Sequence, residues 1–428
     1  MRRMNGPPSS NGEALRQQEL RATVAQIIAE VDDRGDEAVH EWSARLDRWE
    51  RDSFRLDEAE IEHAVESVPR DVIEDICFCQ AQIRRFAEAQ RAAIADVELE
   101  TLPGVTLGHR NIPVASAGAY VPGGRYPMVG SAHMSVVTAK VAGVERVAAS
   151  TPPLAGELPA ATITAMHLAG TDEIYCLGGV QAIAALALGT ETIAPVDFIA
   201  GPGNAYIVEA KRQLFGRVGI DLLAGPTEIL VIADETADAE LVAADLLGQA
   251  EHGPSSPAIL VTTSAKLAAE AELEVTRQLE SLPTGDVAGA AWRDHGEIRV
   301  VDDDEEALGE ADALAFEHVE VQTRDPGWYL ERLRNYGSLF LGEATTVAYG
   351  DKTIGTNHIL PTARAARYTG GLWVGKYLKT VTYQRATREA SGEIAEICAR
   401  QCRLENFEGH ARSCDLRAER WRRTEARG

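Results

Sequence analysis

Apolar residues in the first hundred positions recur at intervals of three and four, which predicts amphipathic helices. Between Glu13 and Glu50 this spacing places the apolar side chains on one helix face, and the Arg34-Gly35 pair predicts a break. The positions that form the face are Leu20, Val24, Ile27, Ile28 and Val31. Helical spacing continues to about Ala95, so the chain opens with a helical region.

The middle of the chain has a different pattern, in which short apolar runs alternate with alanine-rich helical stretches. One series of this kind precedes Gly225, with runs such as IPVASAGAYV and DFIAGPG, and a second follows it, with EILVIAD and AILVTTS. Strand, glycine turn and helix in repeating order is typical of parallel βαβ units. The sequence therefore predicts an α/β protein with two doubly wound, Rossmann-like parallel-sheet domains and a small helical C-terminal piece.

The order of these segments suggests that one α/β domain is inserted in the other. The predicted divisions are an N-terminal arm at 1–19, a first α/β domain at 20–118 and 227–372, an inserted domain at 119–226 and a helical C-terminal segment at 373–428.

Composition narrows the possible functions. A formal net charge of −24 over 428 residues opposes binding to nucleic acid or to an anionic membrane surface. No stretch approaches the ~20 apolar residues that a membrane span needs. The six cysteines form no CxxC pair and no zinc-ribbon spacing, which predicts neither a disulfide framework nor a thiolate metal site. We therefore expect reduced thiols and a cytoplasmic location.

Two glycine-rich segments resemble nucleotide-binding turns, although no GxGxxG motif follows any predicted strand. GAYVPGG (118–124) and GPGNAY (201–206) place glycines between a strand and a helix, where backbone N–H groups could approach a diphosphate. Ordinary turns of an α/β sheet would look the same.

Three polar clusters in the second half of the chain are candidates for a site. Gln249 and His252 are three residues apart at the predicted end of a helix, where both could reach one metal ion. The alternative is a histidine that satisfies the last helix carbonyls. Glu317 and His318 form an acid-histidine pair, or a solvated charge pair, and His358 ends the segment GDKTIGTNH.

Several long motifs, in order, resemble the histidinol dehydrogenase family between about residues 20 and 415. They are GAYVPGGRYP, VDFIAGPGNAYIVEAKRQ, GIDLLAGPTEILVIAD, DLLGQAEHGP, EHVE, GTNHILPT and ENFEGH. The family oxidises a primary alcohol twice, to a carboxylate, with zinc and NAD. The resemblance implies the same activity, an NAD-binding inserted domain and a homodimer with shared active sites.

The resemblance also implies a role for each matching residue. One zinc ion per subunit would be held by Gln249, His252, Asp351 and His410. Glu317 and His318 would be the acid-base pair with His358 close by, NAD would contact Tyr120, Gln181 and Asn204, and substrate would also contact Thr227 and Glu405.

Chemistry supports this scheme. An imidazole can take the alcohol proton as hydride leaves, which favours His318 as the base. Glu317 could activate water for the second oxidation if burial raises its pKa.

The segments RYPMVGSAHMS and ENFEGH depart from the histidinol pattern and resemble the family's sulfopropanediol dehydrogenase branch, which oxidises 2,3-dihydroxypropane-1-sulfonate to 3-sulfolactate. A sulfonate needs cations or fixed donors. The additional basic residues are Arg125, His133, Arg367 and Lys376, and Arg125 and His133 are the favoured contacts. Glu405 keeps L-histidinol as the alternative substrate, and an inactive family member that acts as a binding protein is a third hypothesis.

Overall fold

A computed structural model describes residues 10–123 and 127–425 of the chain. The chain divides into two compact units. The first unit contains the residues up to Arg91 and Val114–Tyr377, and the second contains Ala92–Pro113 and the residues from Leu378 onward.

The strands form three sheets. In chain order they are β1 (Val97–Leu102), β2 (Val105–Pro113), β3 (Ser116–Tyr120), β4 (Arg146–Thr151), β5 (Glu173–Cys176), β6 (Phe198–Ala200), β7 (Gly219–Ile220), β8 (Ile229–Ala233), β9 (Ala258–Thr262), β10 (Gly296–Val300), β11 (His318–Gln322), β12 (Ser338–Leu341) and β13 (Leu378–Ala386).

Helices precede the sheets, connect their strands and end the chain. They are α1 (Ser10–Arg34), α2 (Asp36–Asp47), α3 (Glu58–Ser67), α4 (Arg70–Ala92), α5 (Val129–Ala142), α6 (Ala160–Ala169), α7 (Gly179–Leu188), α8 (Ala205–Leu214), α9 (Ala239–Ala250), α10 (Ala265–Leu279), α11 (Gly285–His295), α12 (Asp304–Leu314), α13 (Pro326–Arg332), α14 (Val347–Lys352), α15 (Arg388–Leu404) and α16 (Glu408–Glu425).

The first unit contains two five-stranded parallel sheets, with strand orders β5-β4-β3-β6-β7 and β10-β9-β8-β11-β12. In each sheet the strand order reverses beside the first strand of its series, as in a doubly wound fold. The central strands β8 and β9 are fully buried, in keeping with a sheet covered by helices on both faces. The predicted α/β class with two parallel sheets is confirmed.

The opening helices follow the predicted pattern. α1 ends at Arg34, Gly35 adopts a left-handed φ of 53°, and α2 begins at Asp36. Val24, Ile27 and Val31, on the predicted apolar face, are buried in one core together with residues of α7. α1 begins at Ser10, inside the segment 1–19 that the sequence predicts to be an N-terminal arm.

The second unit adds a strand to the predicted helical C-terminal segment. Residues Leu378–Ala386 form β13, which pairs antiparallel with β2 in the sheet β1-β2-β13. Alternating residues such as Val381 and Tyr383 fit a strand, but the strongly helical sequence that follows hid this signal. α15 and α16 complete the unit as a helical hairpin.

The same hairpin brings three cysteines together, although their spacing in the sequence predicts no thiolate metal site. Cys398 and Cys402 lie one turn apart on α15, and α16 brings Cys414 to them, so that the three Sγ atoms lie within 4.8 Å of one another. A search for CxxC spacing misses this cluster because two helices form it. All six cysteines are free.

No helix within the described ranges has the length and apolar character needed to cross a bilayer.

Candidate active site

A cavity of about 710 Å³ in the first unit is lined by residues from both parallel sheets. Pro122 and Pro202 follow the carboxyl ends of β3 and β6, whereas Thr227, Ser256 and His318 lie at the amino ends of β8, β9 and β11. The cavity therefore lies where the carboxyl edge of one sheet meets the amino edge of the other.

The register of β8 and β11 brings two pairs of polar residues together at this edge. His318 is the Cα partner of Ile229 in the parallel pair, so Glu317 and His318 lie beside Thr227 and Glu228. Thr227 donates a hydrogen bond from Oγ1 to Glu317 Oε2 at 2.5 Å, and the Glu228 N–H donates to the same oxygen at 3.3 Å. Both donors hold the Glu317 carboxylate in one position.

One ring nitrogen of His318 makes a hydrogen bond, and the other makes none among the described residues. Its Nδ1 lies 3.2 Å from the carbonyl oxygen of Glu228, which can only accept, so Nδ1 carries a proton. Its Nε2 is buried, has no hydrogen-bond partner among the described residues, and lies 3.4 Å from Asp351 Oδ1. In the neutral ring, Nε2 is therefore the basic nitrogen.

Two carboxylates control the charge of His318. Burial alone would lower its pKa, but Glu317 and Asp351 outweigh burial and raise this pKa to about 9. This value lies above the ordinary, near-neutral pKa of an imidazole, and the sequence does not reveal how close the two acids are. A cation held by Asp351 would remove that acid's part of the shift.

Two buried glutamates in the site have raised pKa values. Burial raises the pKa of Glu317 to about 7, although the neighbouring His318 opposes the shift. Burial and the nearby Glu317 charge raise the pKa of Glu228 to about 7 as well, and its Oε1 has no hydrogen-bond partner within the described ranges. Burial raises the pKa of Glu317 toward neutrality as its proposed role requires.

Asp351 reaches the site from α14, whose position depends on β11. Glu320, two residues after His318 on β11, accepts a hydrogen bond from the Val347 N–H at 2.8 Å, in the first turn of α14. Burial opposes ionisation of Asp351, but its contact with His318 holds its pKa below the usual range. β11 thus supplies His318 directly and fixes the helix that carries Asp351.

His358 lines the cavity with both ring nitrogens engaged. Its Nδ1 donates to the Asp351 carbonyl oxygen at 3.1 Å, so Nε2 accepts from the Ser131 hydroxyl at 2.7 Å. Burial lowers its pKa to about 4, which keeps the ring neutral. A Cβ on Gly130 would lie 3.2 Å from His358 Cε1, so a glycine at that position gives the ring room.

Gln249 and His252 lie at the end of α9 and in the turn that follows it. The Gln249 side-chain NH2 group donates to Thr227 Oγ1, which leaves its amide oxygen as the atom that can bind a cation. The same NH2 group lies 3.3 Å from His318 Nδ1, but the two make no hydrogen bond when Nδ1 donates its proton to the Glu228 carbonyl oxygen. His252 is exposed to the cavity. Desolvation by the cavity wall lowers the pKa of His252, and Asp351 opposes this shift.

Gln249, His252 and Asp351 offer donor atoms that suit a zinc ion. Imidazole nitrogen and carboxylate oxygen are common zinc ligands, and His252 and Asp351 line the cavity. The Gln249 amide, which lies beside the cavity residue His318, offers an oxygen as a third donor. The remaining predicted ligand, His410, lies in the second unit, where its ring stacks on Phe407 with the ring centroids 5.4 Å apart. Glu405 also lies in the second unit, at the end of α15. Both residues are exposed.

The turn before α8 forms another part of the cavity wall. Gly201 has a φ of 133°, and a Cβ there would lie 2.0 Å from the Tyr120 carbonyl oxygen, so only glycine fits. Asn204 caps α8 by accepting from the N–H groups of Tyr206 and Ile207. The shape of this turn is therefore fixed before a ligand binds.

Tyr120 and Gln181 are not among the described residues that line the cavity. Tyr120 is buried, which raises its pKa to about 12, and its hydroxyl accepts from the Gly179 N–H at 3.3 Å. Gln181 donates to Asp47 at 3.0 Å, and its buried Oε1 has no partner among the described residues.

The basic residues predicted to contact a sulfonate are dispersed. Arg125 lies outside the described residues. His133 is 3% exposed, bonded to Gln80 at 3.1 Å, and its pKa is lowered to about 4 by burial. Arg367 donates to the carbonyl oxygen of Arg364, and Lys376 donates to Thr369; neither is in the described cavity wall.

Sequence reasoning missed two residues of the site. Arg21, on α1, is the one arginine in the cavity wall as far as the structure describes it. Arg21 lies on the polar face of an amphipathic helix, where an arginine is common, so the sequence does not mark it as a site residue. Glu228 could have been found, because it directly follows the predicted substrate contact Thr227 in the motif GPTE.

Comparison with known proteins shows the family of this chain. The histidinol dehydrogenase family profile matches residues 11–418. The chain is 63% identical to a histidinol dehydrogenase homolog of Shouchella clausii, over 93% of this chain and 94% of that protein. It is 48% identical to the sulfopropanediol 3-dehydrogenase of Ruegeria pomeroyi, over 93% and 92%.

A solved structure shares the fold. The crystal structure of histidinol dehydrogenase from Elizabethkingia anophelis has a TM-score of 0.89 and 31% identity, and the similarity covers 98% of this chain and 94% of that one. On sequence and structure alike, this chain belongs to the histidinol dehydrogenase family of oxidoreductases.

Proposed function

We propose that the protein is a zinc-dependent NAD oxidoreductase that converts 2,3-dihydroxypropane-1-sulfonate to 3-sulfolactate through the aldehyde. The observation that carries the proposal is the convergence of His318, Glu317 and Asp351 on one cavity at the edges of two parallel sheets. A basic nitrogen, a carboxyl group of near-neutral pKa and a carboxylate are the groups that a stepwise alcohol oxidation needs.

The reaction removes four electrons in two steps. In the first, His318 Nε2 takes the proton of the primary hydroxyl while hydride leaves the same carbon for NAD. In the second, Glu317 takes a proton from the water that adds to the aldehyde, and a second hydride reduces a second NAD. Overall one alcohol, one water and two NAD⁺ give one carboxylate, two NADH and three protons.

Zinc would be held by Gln249, His252 and Asp351, with His410 as the remaining ligand. When bound, it supplies a positive charge that orients the substrate hydroxyls and stabilises developing negative charge. The chain's own part is to fix these donors. Thr227 holds the Gln249 amide, and Glu320 fixes the helix that carries Asp351.

NAD would bind along the turn before α8 and would contact Asn204, Tyr120 and Gln181. A helix N-terminus with a glycine-rich turn suits a diphosphate, and the buried Gln181 Oε1 without a partner is an acceptor that a ligand hydroxyl could satisfy.

Two features support a sulfonate substrate. The relative from Ruegeria pomeroyi is named for this activity. Arg21 places a cation in the cavity wall, although the chain as a whole has a net charge of −24. An arginine can bind a sulfonate through two N–H groups. L-Histidinol is the second candidate, because the solved relative carries that name and Glu405 keeps a carboxylate for a cationic substrate.

We further propose a homodimer in which the partner subunit's Glu405 and the partner subunit's His410 complete each active site. Exposed apolar side chains flank both residues in the second unit: Leu404 is 75% exposed and Phe407 is 53% exposed. Such side chains are more often covered in an assembly. Six free thiols suit a reducing cytoplasm, where we place the reaction.

Removal of zinc should abolish NAD reduction, and zinc should restore it. Asp351→Asn and His410→Ala should each lower the zinc that copurifies, measured by elemental analysis, because a ligand is lost. The exposed His167 on α6 provides the matched control, since His167→Ala should keep full zinc content. Wild-type zinc content in both variants would contradict the ligand assignment.

A further inference from the structure

The helical hairpin of α15 and α16 contains a cluster of three thiols, which we call the cysteine cluster: Cys398, Cys402 and Cys414. Their Sγ atoms all lie within 4.8 Å of one another. The spacing of four residues places Cys398 and Cys402 on one face of α15. α16 runs back along α15 and places Cys414 against that face.

Packing alone explains only part of this cluster. The hairpin seam is made of small buried residues: Ala395 and Ala399 on α15, and Ala411 and Ala418 on α16. Cys402 and Cys414 continue this seam at helical spacing, where a cysteine can serve as a small apolar side chain. Cys398 is exposed, so burial gives no reason for a third thiol at this point.

The distances suit a metal ion better than a disulfide framework. Zinc–sulfur bonds of about 2.3 Å place two sulfurs of a tetrahedral site about 3.8 Å apart, so side-chain rotations within the cluster would suffice. Nearby thiols also raise the pKa of Cys398, chiefly through its hydrogen bond with Cys414, and a metal ion would displace those protons.

We propose that the cysteine cluster binds one thiophilic metal ion of the Zn²⁺ and Cd²⁺ class through three thiolates, with the fourth position open to water. Three thiolates select soft ions over the hard cations that carboxylates prefer. The ligands share no residue with those proposed for the catalytic zinc. The inference therefore does not rest on the proposed function, and either can fail without the other.

The test is a Cd²⁺ titration of the reduced, full-length protein after chelator treatment. We expect a thiolate-to-metal charge-transfer absorption whose final amplitude corresponds to one three-thiolate site per chain. Cd²⁺ bound by Gln249, His252 and Asp351 would contribute no such band, because those ligands contain no sulfur. The triple variant C398S/C402S/C414S should lose the band, and C77S, which removes an exposed thiol on α4, should keep it.

A second measurement needs no variant. Alkylation of the wild-type protein, followed by mass spectrometry, should show Cd²⁺ protecting Cys398, Cys402 and Cys414 but not Cys77. Absence of the band, its survival in the triple variant, or equal alkylation of all four cysteines would overturn the proposal. A disulfide between Cys414 and a cysteine of α15 in protein isolated without reductant would also overturn it, since the cluster would then be a redox pair.

Discussion

His318→Gln is expected to lower kcat by about 10²–10⁴-fold, the usual contribution of a general base, while KM changes much less. Glutamine keeps a polar side chain of similar reach but has no nitrogen that can take a proton. The Glu228 carbonyl fixes the His318 tautomer and leaves Nε2 as the basic atom. The loss should therefore appear in the chemical step rather than in binding.

The measurement is steady-state kinetics of NAD reduction together with zinc content for each variant. His167→Gln, at an exposed position on α6, controls for the loss of an imidazole as such. Because His318 Nε2 lies 3.4 Å from Asp351, a proposed zinc ligand, the interpretation requires that His318→Gln retains its metal. An unchanged kcat in the zinc-loaded variant would exclude His318 as the base.

Lys211→Met is expected to reduce the free energy of unfolding by about 3–5 kcal/mol, the cost of leaving a buried charge unpaired. Lys211 and Asp221 are 1% and 4% exposed and form an ion pair. Lys211 also donates to the Gly201 carbonyl oxygen at 2.9 Å, and Asp221 accepts from the Gly201 N–H at 2.9 Å. The pair thus holds both peptide groups of the residue that begins the cavity-wall turn.

Urea denaturation measures this loss, and two further variants make it specific. The double variant K211M/D221N should lose less stability than Lys211→Met, because asparagine is neutral and still accepts from the backbone. Arg324→Ala removes the ion pair between Arg324 and Glu235, whose side chains are 71% and 60% exposed. This variant should lose less than about 1 kcal/mol of unfolding free energy. If Lys211→Met costs no more than Arg324→Ala, the buried pair has no special role.

Sequence patterns were sufficient for the architecture of the first unit. Alternation of apolar strands with alanine-rich helices predicts two parallel sheets, since buried strands and crossover helices have different lengths and periods. The pattern did not predict β13, whose short alternating segment precedes a strongly helical sequence, nor the grouping of 92–113 with the C-terminal segment. Strand pairing between residues as far apart as Val105 and Ala386 leaves no local signal.

The resemblance to a family predicted the residues of the candidate site. The distances and pKa values of those residues could be known only from the structure. No local pattern showed that the amino end of β11 faces the carboxyl end of β6, because ligands of open α/β sheets ordinarily bind at carboxyl ends. The pKa of His318 depends on Glu317 and Asp351, which three-dimensional contact alone brings together. The cysteine cluster was missed for the same reason, as its third thiol comes from another helix.

The most direct test of the proposed function compares kcat/KM for 2,3-dihydroxypropane-1-sulfonate and L-histidinol with the zinc-loaded enzyme and NAD. A charge-assisted contact to a sulfonate is worth about 1.5–3 kcal/mol, or roughly 10–100-fold in kcat/KM. We therefore expect the sulfonate to be preferred by that factor, with two NADH formed per alcohol consumed. A higher kcat/KM for L-histidinol, or one NADH per alcohol, would contradict the account.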